Sequence, residues 1–515
     1  MPDTFTQIFD TPAFKGSATI NTGLFINGQW VDPVDKAQSS QPNSSTGKVI
    51  TSVGVGSAKD VDIAVAAAKQ AYKTSWGLKC PGTVRGKLLN KLADLMEANI
   101  DEFSALEALN CGKMFPRAKA ADLAGAINTI RYYAGWADKV LGQTIETTEN
   151  KLAYTRHEPY GVVGQIIPWN FPMVVKFTSI NLMLSWKVGP ALATGNTIVL
   201  KPSELTPLTA LKFADLINEV GFPPGVVNIV NGYGHTVGEA ITHHPVISKV
   251  AFTGSTLVGR KVLQASAESN LKVVTLELGG KSPTIIFDDA NIEQALYWAS
   301  RHLQGLILTN KKGQSCIAGS RIFIQEGIYD EFLVRFAEIA TGLAAASGDP
   351  FETGNQHGPQ ISQTQFNRVM GYIDSGKKEG ATVHVGGERH REEGYFIQPT
   401  VFKDCTPEMK IVKEEIFGPV AVVVKFKTEE EVIEAANDTV YGLGCNVFSE
   451  NLGRALRVAH HLEAGSAWVN SAQSVESSVP FGGYKQSGQG RELGQYALDT
   501  YTQVKGVHVS IGKKL

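Results

Sequence analysis

Residues 226–278 read VVNIVNGYGHTVGEAITHHPVISKVAFTGSTLVGRKVLQASAESNLKVVTLEL, and their rhythm decides the fold. The short apolar runs VVNIV, KVAF and VVTLEL are separated by stretches of helical spacing, including 256–269. The same rhythm begins upstream, with VVGQII at 162–167, TIVL at 197–200 and a helical segment at 207–220. Glycine or proline punctuates nearly every junction. Short apolar runs alternating with helices predict a parallel sheet covered on both faces, a Rossmann-like α/β fold. A second α/β block is predicted over about 282–483, with strands near TIIF, RIFI and AVVVKF. Ahead of both lie helical patterns at 60–73 and 83–99, and a third that Pro116 opens and that runs to about 140. The first 30 residues show no clear periodicity and read as an arm or an irregular lead-in. The segment 141–159 and the tail 500–511 are β-branched and alternating, as edge strands that need cover would be.

Composition bounds the function. A chain of 515 residues exceeds what one hydrophobic core usually supports, so two or three domains are expected. A net charge of −2 argues against nucleic acid as the main partner. The five cysteines (Cys80, Cys111, Cys316, Cys405 and Cys445) are odd in number and lack CxxC spacing. They suit a reducing compartment and offer no zinc framework. His243 and His244 are adjacent rather than at ligand spacing, so a metal hydrolase is unsupported. The N-terminal stretch carries acidic residues and no arginine, unlike a transit peptide, and the apolar stretch 162–200 is broken by Pro168, Pro172, Lys176 and Lys187. The expected setting is cytoplasmic, with no membrane span.

Two residues carry chemistry of an unusual kind. Cys316 lies in GQSCIAGSR, a small-residue loop, and Glu277 lies in VTLELGGKS, a glycine-rich turn. A thiolate attacks carbonyl carbon, and a carboxylate can take a proton or activate water. They are 316 − 277 = 39 residues apart, so only the fold can bring them together. Taken alone, a cysteine is most often a small buried hydrophobe and a glutamate beside two glycines a turn residue. These two strings, with WNFP at 169–172, FTGST at 252–256 and EEIFGPV at 414–420, resemble the aldehyde dehydrogenase superfamily in sequence and in order. The resemblance runs from FINGQW at 25–30 to YTQVK at 501–505.

The resemblance implies NAD-dependent oxidation of an aldehyde to a carboxylic acid through a thiohemiacetal and a thioester on Cys316. It implies Asn170 as oxyanion donor, Glu277 as the base that releases the acid, and Lys187, in WKVGPALATGN, near the cofactor and assisting proton movement. GxGxxG in a βαβ setting is missing. The resemblance instead places the cofactor on Ile167, Pro168 and Trp169, on Lys201, Ser203 and Glu204 of KPSE, and on Gly254, Ser255, Thr256, Val258 and Gly259. Leu278, Glu415 and Phe417 complete the set. A carboxylate at Glu204 accepts a ribose hydroxyl and repels a 2′-phosphate, which favours NAD over NADP. Read without the resemblance, Lys201 and Glu204 are a solvated pair after a strand, and Glu414–Glu415 a helix-end charge cluster. The resemblance further implies an NAD-binding domain over 1–140 and 160–280, a catalytic domain over 281–485, and an oligomerisation arm from 141–159 and 486–515, in a homodimer or homotetramer.

Two departures stand out. Pro172 and Trp186 are 186 − 172 = 14 positions apart, longer than the family's usual spacing, and the cysteine is reached through LILTNKKGQSC rather than a phenylalanine pair. Asn310, Lys311 and Lys312 then stand where aromatic and small residues are usual, and such a lysine pair is expected to be exposed. The stretches 173–185 and 301–312 leave three accounts open: a pocket remodelled for an unusual aldehyde, harmless outward bulges, or an impaired relative that binds NAD without turnover. A semialdehyde or amino-aldehyde oxidiser would need a charged tunnel residue that the sequence does not place. An acyl-CoA-forming relative is disfavoured by Glu277. Phe481 and Phe417 could pack on an apolar substrate or belong to the core.

Overall fold

The computed structural model describes residues 2–170, 183–303 and 312–512. An eight-stranded sheet has, in order, Gly488–Gln489, Val273–Glu277, Lys249–Thr253, Val162–Ile166, Thr197–Lys201, Val227–Ile229, Leu24–Ile26 and Gln29–Val31. The five strands from Val273–Glu277 to Val227–Ile229 run parallel, as the alternating rhythm predicts. Their chain order is reversed about Val162–Ile166: the next strand lies on one side of it and Lys249–Thr253 on the other. In open α/β sheets such a switch point opens a crevice beyond the carboxyl ends of the strands. Val163, Ile198 and Leu200 pack into one core, whereas Val162, Val199 and Val250 pack into another, because successive strand side chains point to opposite faces.

A seven-stranded sheet holds Thr382–Val385, Thr400–Lys403, Val420–Phe426, Arg321–Gln325, Pro283–Ile286, Gly444–Phe448 and Ser466–Val469, parallel except for the first pair. A three-stranded antiparallel sheet joins Thr502–Ser510, Lys151–Pro159 and Thr144–Ile145, so the two segments read as edge strands pair with each other. The helices Ala58–Thr74, Gly82–Ala98, Leu208–Val220 and Thr256–Glu268 lie where the spacing placed them. No helix among the described residues is long and apolar enough to cross a membrane.

The lead-in is not irregular. Thr4–Asp10 and Lys15–Asn21 form an antiparallel hairpin that packs Phe9, Ala18 and Ile20 inward. Its alternation is disguised because Gln7 shares the inward phase with Phe5 and Phe9 while Ile8 stands 74% exposed. The helix Ile100–Cys111 also escaped the spacing, because Phe103 to Cys111 are buried on every face and show no polar stripe. The segment from Pro116 is broken, with a π-helical stretch at Ala118–Leu123 ahead of Ala124–Trp136.

Candidate active site

The proposed site residues collect at the carboxyl ends of the parallel strands. Ile167, Pro168, Trp169 and Asn170 follow Val162–Ile166; Ser203 and Glu204 follow Thr197–Lys201; Gly254 and Ser255 follow Lys249–Thr253; Leu278 follows Glu277. A cleft of about 620 Å³ opens there, lined by Pro168, Trp169, Asn170, Gly254, Ser255, Leu278, Cys316, Glu415 and Phe417, together with Gln365 and Arg368. Ile167, Lys201, Ser203, Glu204, Thr256, Val258 and Gly259 lie outside that lining.

Two glycines let the motif strings meet. A Cβ on Gly280 would stand 2.2 Å from the Cys316 carbonyl oxygen, so the turn after Glu277 and the cysteine loop touch backbone to backbone. Gly313, at φ +72°, would bring a Cβ within 1.7 Å of the Gly418 carbonyl oxygen, which presses the cysteine loop onto EEIFGPV. The fold thus brings the turn that follows Glu277 against the loop that carries Cys316. Cys316 is partly exposed at the cleft wall. The Asn170 amide, nearly buried, donates to the Gln314 carbonyl at 3.1 Å, and Gln314 Oε1 in turn accepts the Ile361 N–H at 3.1 Å. One N–H of that amide is therefore spent on orientation, and the other has no partner among the described residues.

The residues that the resemblance assigns to the cofactor are held by their own contacts. Lys201 is buried and donates to Glu204 Oε2 at 3.1 Å and to the Pro202 carbonyl at 3.1 Å, and burial holds its pKa below the ordinary lysine value. The pair is therefore not the solvated one that the residues alone suggest. Ser203 Oγ accepts the Leu205 N–H, fixing the turn. Ser255 caps the helix Thr256–Glu268 by accepting the Val258 N–H at 3.4 Å. Gly259 leaves room for Leu278, whose Cδ2 would lie 2.7 Å from a Cβ there. Across the cleft Glu415 accepts the Gly280 N–H at 3.0 Å, and burial lifts its carboxyl to about 7. Phe417, at φ +61°, meets the Trp169 ring edge-on at 5.3 Å, and Gln365 donates to its carbonyl at 2.8 Å.

Glu277 and Lys187 do not line the cleft. Glu277 is 4% exposed, its Oε2 has no hydrogen-bond partner among the described residues, and its pKa is raised well above the carboxylate range. Burial is the main cause and the negative charge of Glu492 adds to it, while Lys187 and Arg491 oppose. Lys187 is fully buried and ion-pairs with Glu492. Glu492 escaped the sequence reading, because nothing in QGRELG marks its glutamate as interior. Gln365 and Arg368 escaped it too, being ordinary polar positions on the helix Gln363–Lys378.

The lengthened stretch after Pro172, as far as residue 182, and Asn310 and Lys311 lie outside the described residues. Lys312 corrects an expectation: it is 1% exposed, not solvated. Its ammonium donates to the carbonyls of Cys111 (2.9 Å) and Pro359, and burial holds it down to about 7. Phe481 takes the core role, packed edge-on against Trp186 at 5.2 Å.

Comparison with known proteins accords with this geometry. Residues 30–507 match the aldehyde dehydrogenase family. An aldehyde dehydrogenase of Agaricus bisporus is 60% identical over the whole of both chains, and one of Emericella nidulans is 55% identical, again over the whole of both. The NAD+ complex of the Bacillus cereus aldehyde dehydrogenase superposes with a TM-score of 0.91 at 47% identity, covering 95% of this chain and 97% of that one. With the cysteine loop packed against the turn that follows a buried glutamate, at the carboxyl ends of a Rossmann-like sheet, and matches of this extent, the chain belongs to the aldehyde dehydrogenase family.

Proposed function

We propose that this protein oxidises an aldehyde to the carboxylic acid with NAD, through a covalent adduct on Cys316. The observation that carries the reading is the backbone contact between Gly280 and Cys316, which sets the thiol beside the turn that follows Glu277. The residues in and beside the cleft suit the cofactor. A carboxylate and an ammonium at Glu204 and Lys201 suit ribose hydroxyls, and the open N-terminus of Thr256–Glu268 suits a pyrophosphate. Glu415 and Phe417 stand where the nicotinamide end would lie, on the side of Cys316. Glu204 disfavours a 2′-phosphate by like-charge repulsion. NAD, when bound, supplies the hydride acceptor.

The chain's own residues supply the rest. The Cys316 thiolate adds to the aldehyde carbonyl, and the oxyanion takes hydrogen bonds from the Asn170 amide and the Cys316 N–H. After oxidation the thioester carbonyl occupies the same donors. Glu277, ionised, takes a proton from water, the resulting hydroxide adds to the thioester, and the thiolate leaves with release of the acid. The Lys187–Glu492 pair lies behind Glu277 and can pass that proton inward.

A homodimer or homotetramer is supported by the three-stranded sheet, where Val504 stands 62% exposed and one edge of Thr502–Ser510 is unpaired among the described residues. Few, unpatterned cysteines support a cytoplasmic setting. The domain division at about 280 and 485 is supported by the two large sheets, one drawing its parallel strands from before residue 280 and the other from after it. The test is NADH formation with NAD and a panel of aliphatic, aromatic and amino-aldehydes, with Cys316→Ala alongside. Turnover that vanishes in the variant is expected. Turnover that survives it, or none in the wild type, contradicts the reading.

A further inference from the structure

Gly279 and Gly280 lie between Glu277 and the contact with the cysteine loop, and close approach requires both to be glycine. A Cβ on Gly279 would stand 2.4 Å from Glu415 Oε2, and one on Gly280 would stand 2.2 Å from the Cys316 carbonyl oxygen. The same lack of side chains leaves the peptide between them free to turn through backbone angles closed to other residues. A fixed orientation there has to come from outside the turn.

The structure holds that peptide from both sides. Its N–H donates to Glu415 Oε1 at 3.0 Å, and its carbonyl, the Gly279 oxygen, accepts from Ser487 Oγ at 2.6 Å. The N–H and C=O of a trans peptide point in opposite directions, so an acceptor on one side and a donor on the other together fix its plane. Ser487 is fully buried. Its hydroxyl accepts the Gly442 N–H at 2.9 Å, and its single proton is committed to Gly279. The Ser487 carbonyl accepts the Leu278 N–H at 2.8 Å, and the next residue, Gly488, pairs with Glu277 at the sheet edge. One residue of the C-terminal stretch thus grips the chain at two successive positions directly beyond Glu277. The cysteine loop has anchors of its own, with Gly313 against Gly418 and Gln314 between Asn170 and Ile361.

We infer that Ser487 is a positioning residue for acid release: with Glu415 it fixes the plane of the Gly279–Gly280 peptide, and so the register of Glu277 against the acyl group on Cys316. The inference rests on the roles proposed for Cys316 and Glu277. It also gives Glu415 a task in the cofactor-free enzyme, apart from any ribose.

The test uses p-nitrophenyl acetate without cofactor. The ester acylates the Cys316 thiolate and expels p-nitrophenolate in a burst; water activated by Glu277 then releases acetate in the steady state. The readout is the steady-state rate divided by the burst amplitude, a ratio that partial unfolding does not move because it lowers both together. Misplacing a reacting group by an ångström costs on the order of a hundredfold, so in Ser487→Ala the ratio should fall about tenfold or more. The burst rate should stay near wild type, because the anchors of the cysteine loop are intact. Glu415→Ala should show the same fall although no cofactor is present, whereas Glu415→Gln, whose amide oxygen can accept the same N–H, should keep the wild-type ratio. A wild-type ratio in Ser487→Ala overturns the inference, and where that variant does not fold, a wild-type ratio in Glu415→Ala overturns it instead. A fall in Glu415→Gln as deep as in Glu415→Ala overturns the part given to the Gly280 N–H. A burst that survives in Cys316→Ala, or a wild-type ratio in Glu277→Gln, overturns the catalytic roles themselves, whatever the Ser487 variant does.

Discussion

Cys316 stands partly exposed at the wall of an open cleft, whereas Glu277 is sealed among Glu492, Lys187 and Arg491 with one carboxylate oxygen unpartnered. The turn that follows Glu277 meets the Cys316 carbonyl at Gly280, yet the surroundings of the two side chains are opposite. A nucleophile must be reached by substrate, so access governs its place. A base that works near neutrality must be kept from ionising too readily, and burial does that. One small contact serves both needs because neither glycine of the turn carries a side chain.

The most damaging way to break the comparison is to remove the accessible group. Cys316→Ala should lower NADH formation on the order of 10⁴-fold or more, measured at saturating NAD. Removing the sealed group should separate the two halves. Glu277→Gln should retain a first rapid turnover of NADH but slow steady-state release by about 10²- to 10⁴-fold. Asn170→Ala should cost about 10²- to 10³-fold in kcat, because one oxyanion donor is lost while the thiol remains.

The contrast also has a stability side, with the sign opposite to that of an ordinary paired carboxylate. The Glu277 pKa is raised on folding, so its contribution is complete below the unfolded carboxylate value and is lost as pH rises through the folded value. Glu277→Gln should therefore melt higher than wild type at pH 8 and lose that advantage near pH 4, checked by thermal denaturation across pH. The smallest effect lies on the cofactor side, where Glu204→Gln should improve use of NADP relative to NAD by about tenfold, read as the ratio of kcat/KM.

The large sheets were legible because parallel strands buried on both faces write themselves as apolar runs between helices. The roles proposed for Cys316, Glu277 and Asn170 rest on whole strings, since each residue alone has a commoner use. What escaped has a common cause. The N-terminal hairpin hides its alternation behind Gln7 and an outward Ile8, and the helix Ile100–Cys111 is buried all round. Glu492 and Lys312 are interior by virtue of partners remote in sequence, Lys187 for one and the carbonyls of Cys111 and Pro359 for the other.

The most direct measurement is intact-mass spectrometry of Glu277→Gln after incubation with NAD and benzaldehyde, followed by peptide mapping. The covalent reading expects one benzoyl group per chain, on Cys316, that persists because its release is slow. No adduct despite NADH formation, or an adduct on Cys111 in place of Cys316, would contradict it.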